Sequence, residues 1–159
     1  MMFSRRMVLL TLASAAVAAT ARSGNAAGPT VVVSKDPNCG CCVGWAQHMR
    51  AAGFTVDLRD VTDLGPVKTR LGVPGDLASC HTAEVGGYVI EGHVPASAIR
   101  RLLDEKPQAK GLAVPGMPTG SPGMEVPGSP PEVYAVVLFG DTRRTYARFK
   151  GATELPATP

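Results

Sequence analysis

The stretch Thr30-Val31-Val32-Val33-Ser34-Lys35-Asp36-Pro37-Asn38-Cys39-Gly40-Cys41-Cys42-Val43-Gly44-Trp45 decides how the rest of the chain is read. Thr30 to Val33 is a short β-branched run, the pattern of a buried strand. A helix from about Cys42 to Ala52 follows, with Trp45, Met49 and Ala52 at helical spacing and Gly53 as its stop. Phe54-Thr55-Val56-Asp57-Leu58 alternates as a second strand. A weaker helix runs from about Asp63 to Leu71 and ends at Gly72 and Pro74. Glu84 to Ile90 reads as a single third strand. Pro95 to Leu103 reads as a helix with proline at its start and Ile99, Leu102 and Leu103 facing inward.

The order β-α-β-α-β-α predicts an α/β sheet with helices on its faces. Cysteines at the start of the first helix make the opening β-α-β unit the thioredoxin-like arrangement. Lys106 to Pro131 is dense in proline and glycine, which argues against helix or central strand there. Val133 to Phe139 forms another strand, and Arg144 to Phe149 pairs back through the turn at Gly140-Asp141. The helix at Pro95–Leu103, running back antiparallel to the third strand, is expected to start the Pro/Gly loop beside Cys80. The whole is one thioredoxin-like domain, 28–159, with flanking helices, a Pro/Gly/Met-rich C-terminal extension from about residue 107, and terminal strands.

The 159 residues carry 16 Lys+Arg against 13 Asp+Glu. Residues 1–27 hold Arg5, Arg6 and Arg22 and no acid, so the remainder has 13 of each sign. A nucleic-acid binder needs a basic stripe and stacking aromatics. A neutral remainder with eight aromatics in the whole chain sets that class aside. Ser4-Arg5-Arg6 followed by Met7 to Ala13 and an alanine-rich run to Ala21 has the three-part plan of a cleavable export signal. Its apolar run is too short for a membrane anchor. The expected cut follows Ala21 or falls near Ala26 or Ala27. The arginine pair suits the twin-arginine or the Sec route to the periplasm. No membrane insertion is expected after signal removal, and the exported domain is read as a monomer.

Cys39, Cys41 and Cys42 crowd one helix start, where free N–H groups and the helix dipole stabilise thiolate. Structural disulfides are one reading, but three sulfurs within four residues close no long loop, which is where a staple gains most. In a thioredoxin-like sheet the loop at Ser79-Cys80-His81-Thr82 lies beside that turn, so a fourth sulfur faces the other three. Converging soft sulfurs favour Cu(I), Zn(II) or an iron–sulfur cluster. Cys-x-Cys-Cys fits a tetrahedral zinc poorly and a multi-metal cluster with bridging thiolates better. Copper also suits the periplasm.

Pro115-Gly116-Met117 and Pro122-Gly123-Met124 form a short repeat whose thioethers are ligands for Cu(I). Without a metal, they would be two apolar plugs in a coil. His81 adjoins Cys80 and is the best histidine candidate for a terminal ligand or a proton-transfer group. His48 lies about 9 Å along the helix from Cys42 and reads as a surface or outlying group. His93, after the third strand, is expected far from Cys80 and structural.

Pro37 to Cys42 with Trp45 and His48-Met49, then Ser79 to Ala83, closely resemble the CopG-type copper-resistance family of periplasmic proteins. Tyr88-Val89-Ile90-Glu91-Gly92-His93-Val94-Pro95 and the loop from Gly111 through Met117 to Met124 extend the match over about Val31 to Lys150. The resemblance implies a thioredoxin-like domain with a metal-binding C-terminal extension. It also implies several copper ions bridged by thiolates and interconversion of Cu(I) and Cu(II) during detoxification. Cys39, Cys41, Cys42 and Cys80 would then be ligands, with the loop of Met117 and Met124 completing the site and periplasmic copper-export components as partners. Two other readings stay open. One is a metal-free thiol–disulfide oxidoreductase with Cys39 as nucleophile and Cys42 as resolving thiol. The other is a passive copper chaperone or buffer.

Overall fold

A computed structural model describes residues 28–157. The expected export signal lies outside the described residues. Eight strands and three helices follow one another as β1 Thr30–Lys35, α1 Gly40–Ala51, β2 Thr55–Asp60, α2 Gly65–Leu71, β3 His81–Val85, β4 Tyr88–Glu91, α3 Ala96–Glu105, β5 Gly111–Ala113, β6 Val133–Phe139, β7 Arg144–Lys150 and β8 Thr153–Glu154. The strands form one open sheet in the order β2-β1-β3-β4-β5-β6-β7-β8. The fold is α/β.

Side-chain alternation along the strands divides the core in two. Val31, Val33, Ile90, Leu112, Val136 and Leu138 pack with Trp45 and Met49 of α1 and Ile99 and Leu102 of α3. Val89, Ala113 and Phe139 pack with Leu71 of α2. Helices therefore cover both faces. Two parallel pairs, β1 with β2 and β4 with β5, are bridged by α1 and α3 respectively, as parallel neighbours require a crossover. Ile99 and Leu102 are buried as expected, and Leu103 is half-buried.

Three expectations about this part of the chain need correction. The stretch read as one strand is a hairpin. Gly86 and Gly87 have φ of 56° and 86°, the left-handed pair that a tight two-residue turn demands, and Val85 pairs directly with Tyr88. The Pro/Gly-rich segment does contain an inner strand. Gly111–Ala113 lies between β4 and β6, fully buried, and three residues need little intrinsic β preference when both sides are paired. The extension also reaches the cysteine end by another route. Because β4 reverses the chain, α3 begins at that end and runs away from it, and β5 carries the chain back.

Candidate metal centre

The register places four strand ends together. Lys35 at the end of β1 pairs with His81 at the start of β3, Thr82 with Glu91 at the end of β4, and Glu91 with Ala113 at the end of β5. The first turn of α1 and both ends of the 114–132 loop between β5 and β6 therefore converge at one end of the strands.

Helix α1 begins at Gly40, with Cys39 as its N-cap in extended conformation. The Cys39 sulfur accepts the Cys42 backbone N–H at 3.3 Å, so the cap is a sulfur aimed at the free amides of the helix start. Cys39 and Cys42 are joined as a disulfide, while Cys41 and Cys80 are free thiols. The Cys41 sulfur lies 3.5 Å from that of Cys39 and 3.9 Å from that of Cys80. The Cys42 sulfur lies 3.6 Å from that of Cys80. All four sulfurs fall within 4.8 Å of one another. The fourth cysteine thus faces the other three.

A second donor group shares Cys80. Its sulfur lies 3.3 Å from His81 Nδ1 and 3.0 Å from His93 Nε2, and one ligand atom from each of the three residues falls within 4.8 Å of the others. The expectation that His93 stands far from Cys80 is overturned by the hairpin, which returns the chain to the end where Cys80 entered. The signal was present in the sequence as Gly86-Gly87, a glycine pair inside an apolar run.

Both rings are buried and neutral. Burial pushes His81 well below the ordinary histidine range, and the nearby His93 and Lys68 push it the same way. Burial also lowers His93, opposed by the Pro122 carbonyl and Glu125. That carbonyl lies 2.9 Å from His93 Nδ1, so Nδ1–H donates to it and Nε2 keeps its lone pair toward Cys80. Trp45 stacks obliquely on His81 with ring centres 4.5 Å apart and donates its indole N–H to Val94. His81 Nε2 is buried without a hydrogen-bond partner. Burial pushes the Cys80 thiol up to about 12, and the adjacent Cys41 adds to the shift. A soft cation is the partner that such a set of neutral imidazoles and crowded sulfurs lacks, since its charge offsets the cost of removing the thiol proton.

The extension is attached to this centre at both Pro-Gly-Met repeats. The Ser79 hydroxyl donates to the Gly116 carbonyl, tying the residue before Met117 to the residue before Cys80. Gly123, at φ 85°, lies against the first turn of α1, where an added Cβ would stand 2.6 Å from the Cys41 carbonyl oxygen. Met117 is 53% exposed and lines a shallow groove with Pro115, Pro118, Glu132, Val133 and Tyr134, whereas Met124 is half-buried. His48 Nε2 accepts the Ala96 N–H at 3.1 Å and so caps α3, a role outside the sulfur cluster. No helix among the described residues is long and apolar enough to cross a membrane.

A family described as "Protein of unknown function, DUF411" matches residues 77–124, the span from the approach to Cys80 through Met124. A comparison with curated proteins finds no match. Among solved structures, "Copper resistance protein copG- Form 1" is 43% identical, covers 77% of this chain and 98% of its own, and superposes with a TM-score of 0.71. The Form 2 structure is 41% identical over 81% of this chain and 99% of its own, with a TM-score of 0.70. At that identity and coverage, with the cysteines gathered at one end of the sheet, the chain belongs to the CopG family of copper resistance proteins.

Proposed function

We propose that the protein binds several copper ions at the cluster of Cys39, Cys41, Cys42 and Cys80 and interconverts Cu(I) and Cu(II) in copper tolerance. The single observation that carries this reading is the convergence of four sulfurs within 4.8 Å in a chain 43% identical to a solved copper resistance protein. A copper-related role rests on both. In the reduced form four thiolates bridge soft ions. His81 and the lone pair of His93 Nε2 cap from the Cys80 side, and Met117 and Met124 cap from the extension. The thioredoxin-like reading of the domain is supported by the β2-β1-β3-β4 order with β3 antiparallel to β1 and by cysteines at the start of α1. The periplasm is the proposed compartment, with export components as partners.

The redox step uses the cysteines as the electron store. Two Cu(II) ions each take one electron from the Cys39 and Cys42 thiols, which lose two protons and close the disulfide. In reverse, two Cu(I) ions deliver two electrons to the disulfide, which takes up two protons as it opens. Adding Cu(II) to the reduced protein tests this. The expected result is two Cu(I) trapped by a chelator for each Cys39–Cys42 disulfide found by mass spectrometry. Cu(II) left unreduced with all thiols intact would make the protein a passive store.

The disulfide itself favours a second reading, metal-free thiol–disulfide exchange through Cys39 and Cys42. Ready reduction of a disulfide substrate, without tight copper binding, would establish that reading instead.

A further inference from the structure

Behind the sulfur cluster, on the sheet face covered by α2, lies a charged pair that the copper chemistry does not use. Glu91 closes β4 and is fully buried, and its carboxylate is paired with Lys68 from α2. Both of its oxygens accept hydrogen bonds. Oε1 accepts the Ser79 backbone N–H at 2.6 Å and also the Lys68 ammonium, and Oε2 accepts the Thr82 hydroxyl at 2.7 Å. Lys68 donates in addition to Thr82 Oγ1 at 2.9 Å.

Two features of this network stand out. A buried ion pair is a weak source of stability, because desolvation consumes most of the attraction and an apolar pair of similar volume does as well or better. Yet the protein partners of this carboxylate other than Lys68 sit on either side of one dipeptide. Ser79 precedes Cys80 and Thr82 follows His81. Ser79 begins where no ladder holds it, since β3 starts at His81, so the Glu91 bond restrains the backbone ahead of the free cysteine. Thr82 faces Glu91 in the β3–β4 register, and its hydroxyl bond fixes the far side.

We propose that Glu91, paired with Lys68, is a positioning residue that clamps the Cys80–His81 dipeptide through its flanking residues Ser79 and Thr82 and sets both side chains at the metal centre. Its bonds run to Ser79 and Thr82 rather than to Cys80 or His81, so it acts through backbone placement and touches no copper. The affinity part of its test rests on the copper reading above; the thiol-labelling part does not.

The test compares the full chain with K68M/E91M, which removes both charges and all acceptors, and with K68M/E91Q, which removes the charges but leaves an amide oxygen for the Ser79 N–H. Metal-free protein with the Cys39–Cys42 disulfide intact is treated with iodoacetamide, and labelling of Cys80 relative to Cys41 is followed by peptide mass spectrometry. Cu(I) affinity is measured on reduced protein against a chelator. For K68M/E91M we expect a protein that still folds cooperatively, at least tenfold faster labelling of Cys80 with Cys41 unchanged, and at least tenfold weaker Cu(I) binding. K68M/E91Q should return within about threefold on both readouts. A folded K68M/E91M with unaltered labelling and affinity overturns the proposal, as does K68M/E91Q impaired equally with K68M/E91M. Thr82→Val serves if the apolar pair does not fold: several-fold faster Cys80 labelling is expected, and an unchanged rate overturns the proposal. Absence of Cu(I) uptake by the unaltered chain would defeat the copper reading alone, leaving the labelling result to decide the role of Glu91.

Discussion

His93 Nε2 stands 3.0 Å from the Cys80 sulfur, while Nδ1 of the same ring holds the Pro122 carbonyl at 2.9 Å. One buried imidazole thereby joins the β3–β4 hairpin, the free cysteine and the extension. Replacing it by alanine removes the donor to a carbonyl beneath the loop and the nitrogen facing the sulfur. His93→Ala is expected to lose about 1–3 kcal/mol of stability. It should also speed protease cleavage between residues 115 and 131 and weaken Cu(I) binding by tenfold or more. Denaturant melts, limited proteolysis and chelator competition measure the three effects.

The two loop methionines separate ligation from packing. Leucine keeps the volume and apolar surface of methionine and removes the thioether, at a cost usually below ~1.5 kcal/mol. Met117→Leu with Met124→Leu should leave the melting temperature nearly unchanged and lower Cu(I) affinity. Unchanged affinity would reduce the repeat to a pair of apolar plugs.

Gly123 tests how the extension is seated. Its φ of 85° is one that side chains rarely adopt, and an added Cβ would press on the backbone of Cys41 and Trp45. Gly123→Ala is expected to cost about 2 kcal/mol or more. Gly128 has a similar φ of 80° but open space around it, so Gly128→Ala should cost only about 1 kcal/mol. Equal losses in urea titrations would mean that contact with α1 contributes nothing.

His48 should make stability depend on pH. Burial lowers it from the ordinary histidine value, against an opposing pull from Glu125, and only its neutral ring can accept the Ala96 N–H. A group depressed in the folded state stabilises fully above the unfolded value of about 6.5 and loses that contribution as pH falls through the folded value. Unfolding of the metal-free protein between pH 8 and 5 should therefore show a decline that is smaller in His48→Gln. The difference between the two profiles isolates His48 from the other buried histidines. Parallel profiles would remove the cap from the account.

The alternation of strands and helices was legible because each element carried its own period and stop signal. The N-terminal cysteine turn was legible because sulfur at a helix start has a direct physical consequence. Cys80 was placed correctly by topology alone. What stayed hidden was set by pairing rather than by local preference. The run from Val85 to Ile90 holds no charged residue to mark a change of face, and Gly86-Gly87 was the only sign of the turn. Missing that turn sent His93 to the wrong end of the sheet. Gly111–Ala113 becomes an inner strand through partners on both sides, which a proline-rich context conceals. Glu91 and Lys68, 23 residues apart, carry no motif, and only the β4 register and the placement of α2 bring them together.

The central claim, that four sulfurs form one copper centre, is tested most directly by loading the fully reduced chain with Cu(I) under anaerobic conditions and counting metal and thiols per chain. More than one tightly held copper per chain is expected, with a loss of copper when Cys80→Ser removes the sulfur from the loop entering β3. Copper uptake of one ion or fewer, or a Cys80→Ser variant that retains the full complement, would contradict it.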